Sequence, residues 1–250
     1  MVNTSTYDSA ANSGSAERTR GFVGGLLWVI AIVQYAVAQI IAAAAWTTPY
    51  SLRANYISDL GNTACGMFAV PHGQPAYVCS PSHGLMNASF IALGVLVIAG
   101  AILLRRFSPS GRMTSVAFYL WILSGLGKIV VGLVPENTTI TLHLLGAFNI
   151  PVASVAILLF SLAIRDSNVP LSIFGIGTAV VGLVGTVLST AGQYAGEGLY
   201  LGLGVGGMER VAGYPGSLWT LVVGALAMTF AGRTSDARDA VDDNSPVARL

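Results

Sequence analysis

The chain has 250 residues, of which 54% are hydrophobic and only 9% are charged. A soluble globular domain usually carries about 25% charged residues, so this composition excludes an ordinary water-soluble fold. The 12 basic and 11 acidic residues nearly cancel, to a formal net charge of +1. The sequence has no strongly basic block, which argues against a nucleic-acid-binding protein.

Six apolar segments follow one another along the chain. About 20 helical residues cross a hydrocarbon core of about 30 Å, and a backbone in lipid must satisfy its own hydrogen bonds, which favours helices. The sequence therefore predicts an all-α, polytopic membrane bundle of six transmembrane helices. The predicted spans are residues 21–46, 84–104, 113–133, 141–162, 171–190 and 216–230, the last beginning slightly earlier, within 211–215.

The polar ends of the chain define the domain organisation. Residues 1–20 and 233–250 lack apolar periodicity and predict disordered tails. Residues 21–232 form the predicted membrane domain, with a long loop at residues 47–83. The first apolar run is about 26 residues long, which exceeds the core of a signal peptide and predicts a retained span.

The distribution of basic residues predicts the orientation. Both tails and the loops at residues 105–112 and 161–170 lie on one side of a six-span bundle. Positive charge marks the cytoplasmic side, so both termini are expected in the cytoplasm of a multi-pass protein of the inner (plasma) membrane. The tail side carries Arg18, Arg20, Arg105, Arg106, Arg112, Arg165, Arg233, Arg238 and Arg249, whereas the other side carries Arg53 and Arg210.

The two cysteines, Cys65 and Cys79, both lie in the long loop on the predicted outer side. Disulfides persist in oxidising compartments, so this placement predicts a Cys65–Cys79 bond that closes a loop of about 15 residues and stabilises it by about 3 kcal/mol. The alternative is a pair of unpaired thiols.

Most residues able to bind a ligand fall at the predicted outer ends of the helices. Neighbouring helices in a bundle are about 8–10 Å apart, so these ends are expected to lie close together. The candidate site residues are Ser58, Asp59, His83, Asn87, Lys128, Glu136, His143, Glu209 and Arg210.

Lys128 is the most informative of these residues because it lies inside the third span. An ionisable residue at this depth is costly and marks a functional site unless it is paired. Its predicted counter-ions are Asp59, Glu136 or Glu209. The alternative is that the side chain extends to the outer interface.

His83, His143 and Asp59 are the candidates for a zinc site, with His72 as a further nitrogen ligand, since imidazole and carboxylate groups suit zinc. The sequence lacks the HxxxH or HExxH spacing that places two ligands on one helix face. A histidine near the start of a helix is more often a hydrogen-bonded interfacial residue than a metal ligand. Ser58 and Asp59 are likewise explained as a helix cap or turn.

Small residues in the fifth span, Gly175, Ala179, Gly182 and Gly185, predict a face for close helix packing. The glycine-rich stretch at residues 192–207 follows a span and not a strand, so it does not predict a dinucleotide site. It is expected to form an outer loop.

Three motifs and a late residue pair resemble those of a prokaryotic integral-membrane family, catalogued as domain of unknown function 998. The resemblance covers residues 20–232. It implies a multi-span helical protein without an established activity, and its recurring positions coincide with the polar set above. The motifs are residues 55–61 (NYISDLG), His83 with residues 87–90 (NASF), residues 132–137 (GLVPEN) followed by His143, and Glu209-Arg210 before Trp219.

These features leave three functional hypotheses open. The leading one is a binding or transport protein whose outward-facing polar site accepts a lipid headgroup or a small polar ligand. The second is a membrane-embedded, metal-dependent hydrolase with His72, His83, His143 and Asp59 as ligands. The third is a structural subunit of a membrane assembly. The balance favours a protein that is not an enzyme.

Overall fold

The computed structural model describes the backbone of residues 4–243 and the side chains of residues 17–231. Within this part of the chain, six helical spans are long and apolar enough to cross a membrane, which confirms the predicted all-α bundle. The helices are α1 (Thr4–Ala44), α2 (His83–Leu104), α3 (Arg112–Leu133), α4 (Ile140–Ala147), α5 (Asn149–Ala163), α6 (Val169–Ala195) and α7 (Gly204–Asp243). Helices α4 and α5 together make the fourth span.

The spans form a closed ring in chain order. Each packs against its neighbours in the sequence, and α1 also packs against α7. Short connections place successive helices antiparallel, so the ring has two ends. We call the end that carries residues 45–82 the loop face, and the end that carries residues 105–111 and 164–168 the opposite face.

Small residues allow the helices of the ring to approach closely. A Cβ atom at Gly25 of α1 would lie 2.4 Å from the carbonyl oxygen of Gly224 on α7. A Cβ atom at Gly94 of α2 would lie at the same distance, 2.4 Å, from the carbonyl oxygen of Gly125 on α3. Without a hydrophobic driving force between helices in lipid, such backbone contacts and their packing hold the bundle together. The predicted small-residue face of α6 is confirmed, because its glycines at 175, 182 and 185 are buried.

Three tryptophans fill the centre of the ring. Trp121 stacks on Trp219 with 5.0 Å between ring centroids, and Trp28 meets Trp121 edge-on at 5.3 Å. Each indole is at most 2% exposed. The Nε1 of Trp28 also donates a hydrogen bond to the carbonyl oxygen of Val97 at 3.1 Å, which fixes this ring against α2.

The sixth span begins earlier than predicted. Helix α7 starts at Gly204, so it includes the charged pair Glu209-Arg210 and passes through Pro215. The expected start, at residues 211–216, follows from treating charge and proline as the end of a span. The charge is accommodated because both terminal nitrogens of Arg210 donate to protein groups. The proline is accommodated because a packed membrane helix tolerates a missing N–H.

The helical backbone of α1 and α7 reaches into both stretches predicted as tails, since α1 begins at Thr4 and α7 ends at Asp243. The tail boundaries predicted at residues 20 and 233 come from hydropathy. Hydropathy shows where contact with lipid ends, whereas a helix can continue into water through its own hydrogen bonds. Residues 1–3 and 244–250 lie outside the described residues.

The loop face is built on a 3₁₀ turn at Ser58–Gly61 and a two-stranded hairpin of β1 (Gly66–Phe68) and β2 (Ala76–Val78). The strands are antiparallel, with Met67 opposite Tyr77. A disulfide joins Cys65 to Cys79, as predicted, and closes the base of the hairpin. This bond fixes a segment that has only three residues in each strand.

Reduction of this disulfide is expected to lower the free energy of unfolding by about 3 kcal/mol, because a closed loop of about 15 residues restricts the unfolded chain. The measurement is the thermal midpoint of the purified protein with and without dithiothreitol. A Cys65→Ser/Cys79→Ser double variant is the control and should not respond to the reductant. An identical midpoint for the oxidised and reduced protein would contradict this expectation.

Candidate functional site

Arg210 attaches the loop after α1 to helix α7. Its Nη1 donates to the carbonyl oxygens of Leu52 at 3.1 Å and Asn55 at 3.0 Å. It also donates to the carbonyl oxygen of Gly206 at 2.7 Å, one turn earlier on α7, while Nη2 donates to the hydroxyl of Tyr50. The side chain is only 8% exposed. The two terminal nitrogens of the guanidinium thus bind groups of the protein, and Arg210 stays a predicted ligand-binding residue.

Asp59 organises the 3₁₀ turn from within. Its Oδ2 accepts hydrogen bonds from the backbone N of Tyr56 at 2.8 Å and from Nδ2 of Asn55 at 3.3 Å. The turn has no side-chain bond from an N-cap residue, so the predicted capping role takes a different form here. The Asp59 carboxylate binds donors of Asn55 and Tyr56, which precede the turn in the chain.

Asp59 and Glu136 form a buried carboxyl pair. Glu136 lies in the turn after α3, and its Oε2 accepts a hydrogen bond from the Ser58 hydroxyl at 2.7 Å. The two carboxyl groups adjoin within hydrogen-bonding reach, and they are 3% and 2% exposed. No other donor among the described residues reaches Glu136 Oε1. One proton held between the two carboxyls would satisfy this atom.

The surroundings of the pair favour that proton. Burial raises the pKa of Glu136 well above its usual value, and the negative charge of Asp59 raises it further. Burial also raises the pKa of Asp59, against the hydrogen bonds that it accepts from the loop. Two carboxylates this close do not both ionise readily in a site of low polarity, so the pair titrates as one coupled unit.

A third carboxylate, Glu209 of α7, meets the same turn from the other side. It accepts hydrogen bonds from the backbone N–H groups of Ile57 and Ser58. The loop motif is therefore held by side chains from both α7 and the α3–α4 turn. Among the described side chains, the only ion pair is Arg165–Asp166 on the opposite face, so no basic side chain neutralises this carboxylate group directly.

Lys128 is held by neutral groups instead of a carboxylate. Its Nζ donates to the Ser124 hydroxyl at 2.6 Å and to the side-chain oxygen of Asn149 at 3.0 Å. The predicted counter-ions, Asp59, Glu136 and Glu209, form no ion pair with it in the described part of the chain. The sequence places these carboxylates at the same membrane depth, but hydrogen bonds to the loop turn hold them away from the ammonium.

A break in the fourth span presents Asn149 to Lys128. Helix α4 ends at Ala147 and α5 begins at Asn149, with Phe148 between them. Pro151 follows within the first turn of α5, and a proline cannot donate the hydrogen bond that would continue α4. The backbone oxygen of Asn149 accepts a hydrogen bond from the Ser124 hydroxyl at 3.0 Å. This bond joins α3 to the first residue of α5, directly after the break.

An internal cavity of about 100 Å³ lies in the half of the bundle beside the loop face. A cavity needs about 10–15 Å³ of such space for one water, so this one has room for several waters or for one small polar group. Its walls are a mixture of apolar and polar side chains. The polar and charged groups that line it include Ser58, Ser124, Lys128, His143, Asn149 and Glu209.

His143 reaches this cavity from α4 and is 4% exposed. Its Nδ1 donates to the carbonyl oxygen of Val134 at 2.7 Å, which fixes the ring and ties α4 to the end of α3. The structure therefore brings Ser58, Lys128 and Glu209 together with His143 at one cavity.

His83 and Asn87 take part in local structure near the loop. His83 begins α2 and its Nδ1 lies 2.8 Å from the carbonyl oxygen of Ser80. The Nδ2 of Asn87 donates to the carbonyl oxygen of Gly61 at 2.9 Å. A Cβ atom at residue 61 would lie 2.4 Å from Asn87 Oδ1, so this contact needs glycine. Neither side chain lines the internal cavity.

The proposed zinc ligands do not converge. His72 packs against the ring of Tyr194, with 4.5 Å between ring centroids, while His83 and His143 are bound to separate carbonyls. Within residues 17–231, no group of three or more His, Cys, Asp or Glu side chains could hold a metal ion. The hydrolase hypothesis built on His72, His83, His143 and Asp59 gains no support from this geometry.

A groove of about 550 Å³ runs between α1 and α7 beside the cavity. Ile32, Tyr35, Tyr214 and Ser217 line both the groove and the cavity. The Tyr214 hydroxyl donates to the side-chain oxygen of Gln39 at 2.9 Å, which links the two helices across the groove. The site is therefore one side-chain layer away from the surface between α1 and α7.

The two residues that bind the Lys128 ammonium, Ser124 and Asn149, are not among the sequence candidates. Ser124 lies one turn before Lys128, and a helix places residues four apart on one face. Asn149 precedes Pro151 inside an apolar run, where an amide beside a proline indicates a broken span. The spacing of Ser124 and the position of Asn149 can both be read from the sequence. Only the packing of α3 on α5 shows that both side chains bind Lys128.

Together, the ring of spans and the polar cavity define a multi-pass helical membrane protein. The chain belongs to the family DUF998, described as a protein of unknown function, whose family model matches residues 23–226. This confirms the family resemblance of the sequence motifs. No match to the chain was found among curated proteins or among solved structures.

Proposed function

We propose that this protein binds the anionic group of a membrane lipid headgroup or of a small polar ligand in the cavity beside the loop face, with Lys128 as the principal contact. The observation that carries the proposal is the ammonium of Lys128, which lies at the cavity wall with only neutral oxygens of Ser124 and Asn149 as partners. A cation inside a span is costly unless it is paired or hydrated.

The arrangement around Lys128 suits an anion. Ser124 and Asn149 orient the ammonium without neutralising it, so its charge remains available to a ligand. Hydrogen bonds with one ionised partner are about twice as strong as neutral ones. The side chains of Ser58 and His143 line the same cavity and supply further polar contacts for a small charged group.

The groove between α1 and α7 favours a lipid as the source of that group. Its walls share Tyr35, Tyr214 and Ser217 with the cavity, so a headgroup can enter sideways while its chains stay against the bundle. On the basis of the arginine distribution, we place the loop face on the outer side of the plasma membrane. The proposed binding site then faces the outer side of the membrane.

The test replaces Lys128 with methionine, which keeps the chain length and removes the charge. Purified protein in nanodiscs of phosphatidylcholine is titrated with lysophosphatidate and, separately, with inorganic phosphate, with thermal stabilisation as the readout. We expect lysophosphatidate to stabilise the native protein, and Lys128→Met to weaken its binding by about 10- to 100-fold, because a charged hydrogen bond contributes about 1.5–3 kcal/mol.

Arg53→Met is the matched control, since it removes an exposed cation from the same face and should leave the affinity unchanged. Stabilisation by phosphate alone would indicate a small polar ligand instead of a lipid. Equal binding by the native protein and Lys128→Met would contradict the proposal. Absence of any stabilisation in the well-folded native protein would favour the structural-subunit hypothesis.

A further inference from the structure

The half of the bundle beside the opposite face contains a second, larger cavity of about 760 Å³. All six spans contribute to its walls, so it lies inside the ring and not on the surface that faces lipid. Its size is within the range of about 300–1,000 Å³ that is typical of small-molecule sites. It is separate from the polar cavity, although Trp121 lines both of them.

The walls of this second cavity are apolar and aromatic. The three central indoles close its inner end, where Phe118 and Phe160 pack against Trp121 at centroid distances of 4.9 Å and 5.5 Å. Leu171 and Val223 continue the apolar wall toward the opposite face. An apolar wall of this kind offers few hydrogen bonds to water. If the cavity were empty, the side chains of its wall would have no dispersion contacts on the cavity side.

The rim of the cavity is polar and lies in an end of the bundle whose described residues carry net positive charge. Glu17, Arg18 and Ser108 line its outer part. The surrounding end of the bundle is basic, since its described residues include six arginines and only two acids. The arginines are at positions 18, 20, 105, 106, 112 and 165, and the acids are Glu17 and Asp166. An apolar interior below a basic rim is complementary to a hydrocarbon chain that ends in an acidic group.

We propose that this cavity binds a single-chain anionic amphiphile, with the hydrocarbon chain in the apolar interior below the tryptophans and the acidic group at Arg18. Each methylene group of the ligand that is buried against apolar walls adds to the binding free energy. The basic end of the bundle favours an anionic ligand whose acidic group points toward Arg18. The site lies in the other half of the bundle from Lys128, and it uses different residues. Its existence therefore does not depend on the proposed function at the loop face.

The central indoles provide the test with its own signal. Bromine on a hydrocarbon chain quenches indole fluorescence at short range. Trp28, Trp121 and Trp219 are at most 2% exposed and lie within a ring whose helices are each about 10 Å in diameter. Brominated chains in the surrounding bilayer are therefore held away from them. The fourth tryptophan, Trp46, lies near the loop face and is removed by Trp46→Phe.

The experiment titrates the Trp46→Phe protein, in nanodiscs of unlabelled lipid, with 9,10-dibromostearate. We expect saturable quenching that unlabelled stearate reverses. Leu171→Phe and Val223→Phe, each of which fills part of the cavity, should weaken this quenching at least about fivefold while the melting midpoint is retained. Arg18→Gln should weaken binding of the bromo acid but not of the matching bromo alcohol, whereas Arg53→Gln, at the loop face, should change neither.

Quenching that rises linearly without saturation would overturn the proposal, because it would report bilayer partitioning only. Failure of unlabelled stearate to restore the fluorescence would overturn it as well, and this measurement needs no cavity variant. Equal affinity for the acid and the alcohol in the native background would remove the assigned role of Arg18 and with it the anionic class of ligand.

Discussion

Replacing Arg210 with alanine is expected to lower the free energy of unfolding by about 3–5 kcal/mol, one of the largest effects of any single side chain in this protein. The guanidinium donates to three backbone carbonyls and to the Tyr50 hydroxyl. Its removal leaves these acceptors in a buried region without a donor. The loop that carries Asp59 would then keep only its other bonds to α7, such as the one from Ile57 to Glu209.

The measurement is the unfolding free energy in mild detergent, followed by circular dichroism over a denaturant series. Arg210→Lys should recover only part of the loss, because one ammonium cannot reproduce the planar fork of an arginine. Arg53→Ala, an exposed arginine in the same loop, is the control and should change stability by less than about 0.5 kcal/mol. A similar loss for Arg53→Ala and Arg210→Ala would contradict the proposed attachment.

The carboxyl pair Asp59–Glu136 predicts a distinctive pH dependence of stability. Because the pKa of both groups is raised, above an ordinary value of 4.5 for Glu136, the folded protein retains a proton that the unfolded chain releases. This contribution is fully present below the ordinary carboxyl pKa and is lost as the pH rises toward the raised value. Stability should therefore fall with rising pH, by up to about 1.4 kcal/mol per pH unit for one proton.

Glu136→Gln is expected to flatten that dependence, since the amide keeps the shape of the neutral carboxyl and can donate to Asp59. The unfolding free energy is measured between about pH 5 and about pH 8. Glu209 and Arg210 also act on the pair electrostatically, so both are left intact in this variant. Glu197→Gln, which changes an exposed carboxylate on the same face, should retain the native slope. An unchanged slope in Glu136→Gln would assign the proton uptake to another group.

The sequence predicts the membrane architecture well because hydropathy directly reflects the length of a span in lipid. The beginning of α7 is the exception. Glu209, Arg210 and Pro215 suggest a loop, whereas the structure continues the helix through all three residues. The two charged residues are accommodated by partners from the loop after α1, which are about 150 residues away in the chain. Local patterns carry no information about such partners.

In the candidate site, too, some features follow from local sequence patterns and others depend on partners that are distant in the chain. Ser58 and Asp59, in one short motif, lie close to Glu136 in the structure, because all three follow or precede the ends of neighbouring spans. The partner of Lys128 is missed, since Asn149 becomes available only through the break at Phe148. The histidines are grouped incorrectly as metal ligands because membrane depth alone does not determine the direction of a side chain.

The closure of the ring by α1 and α7 has a consequence for biosynthesis. Chains are made from the N-terminus, and early segments enter the membrane before later ones exist. The face of α1 around Gly25 packs on Gly224 of α7, so it has no partner until the last span has been inserted. Both cavities are walled by residues of α7. A chain that stops before residue 204 therefore leaves Lys128 in an open bundle, and the two cavities are the last parts of this protein to form.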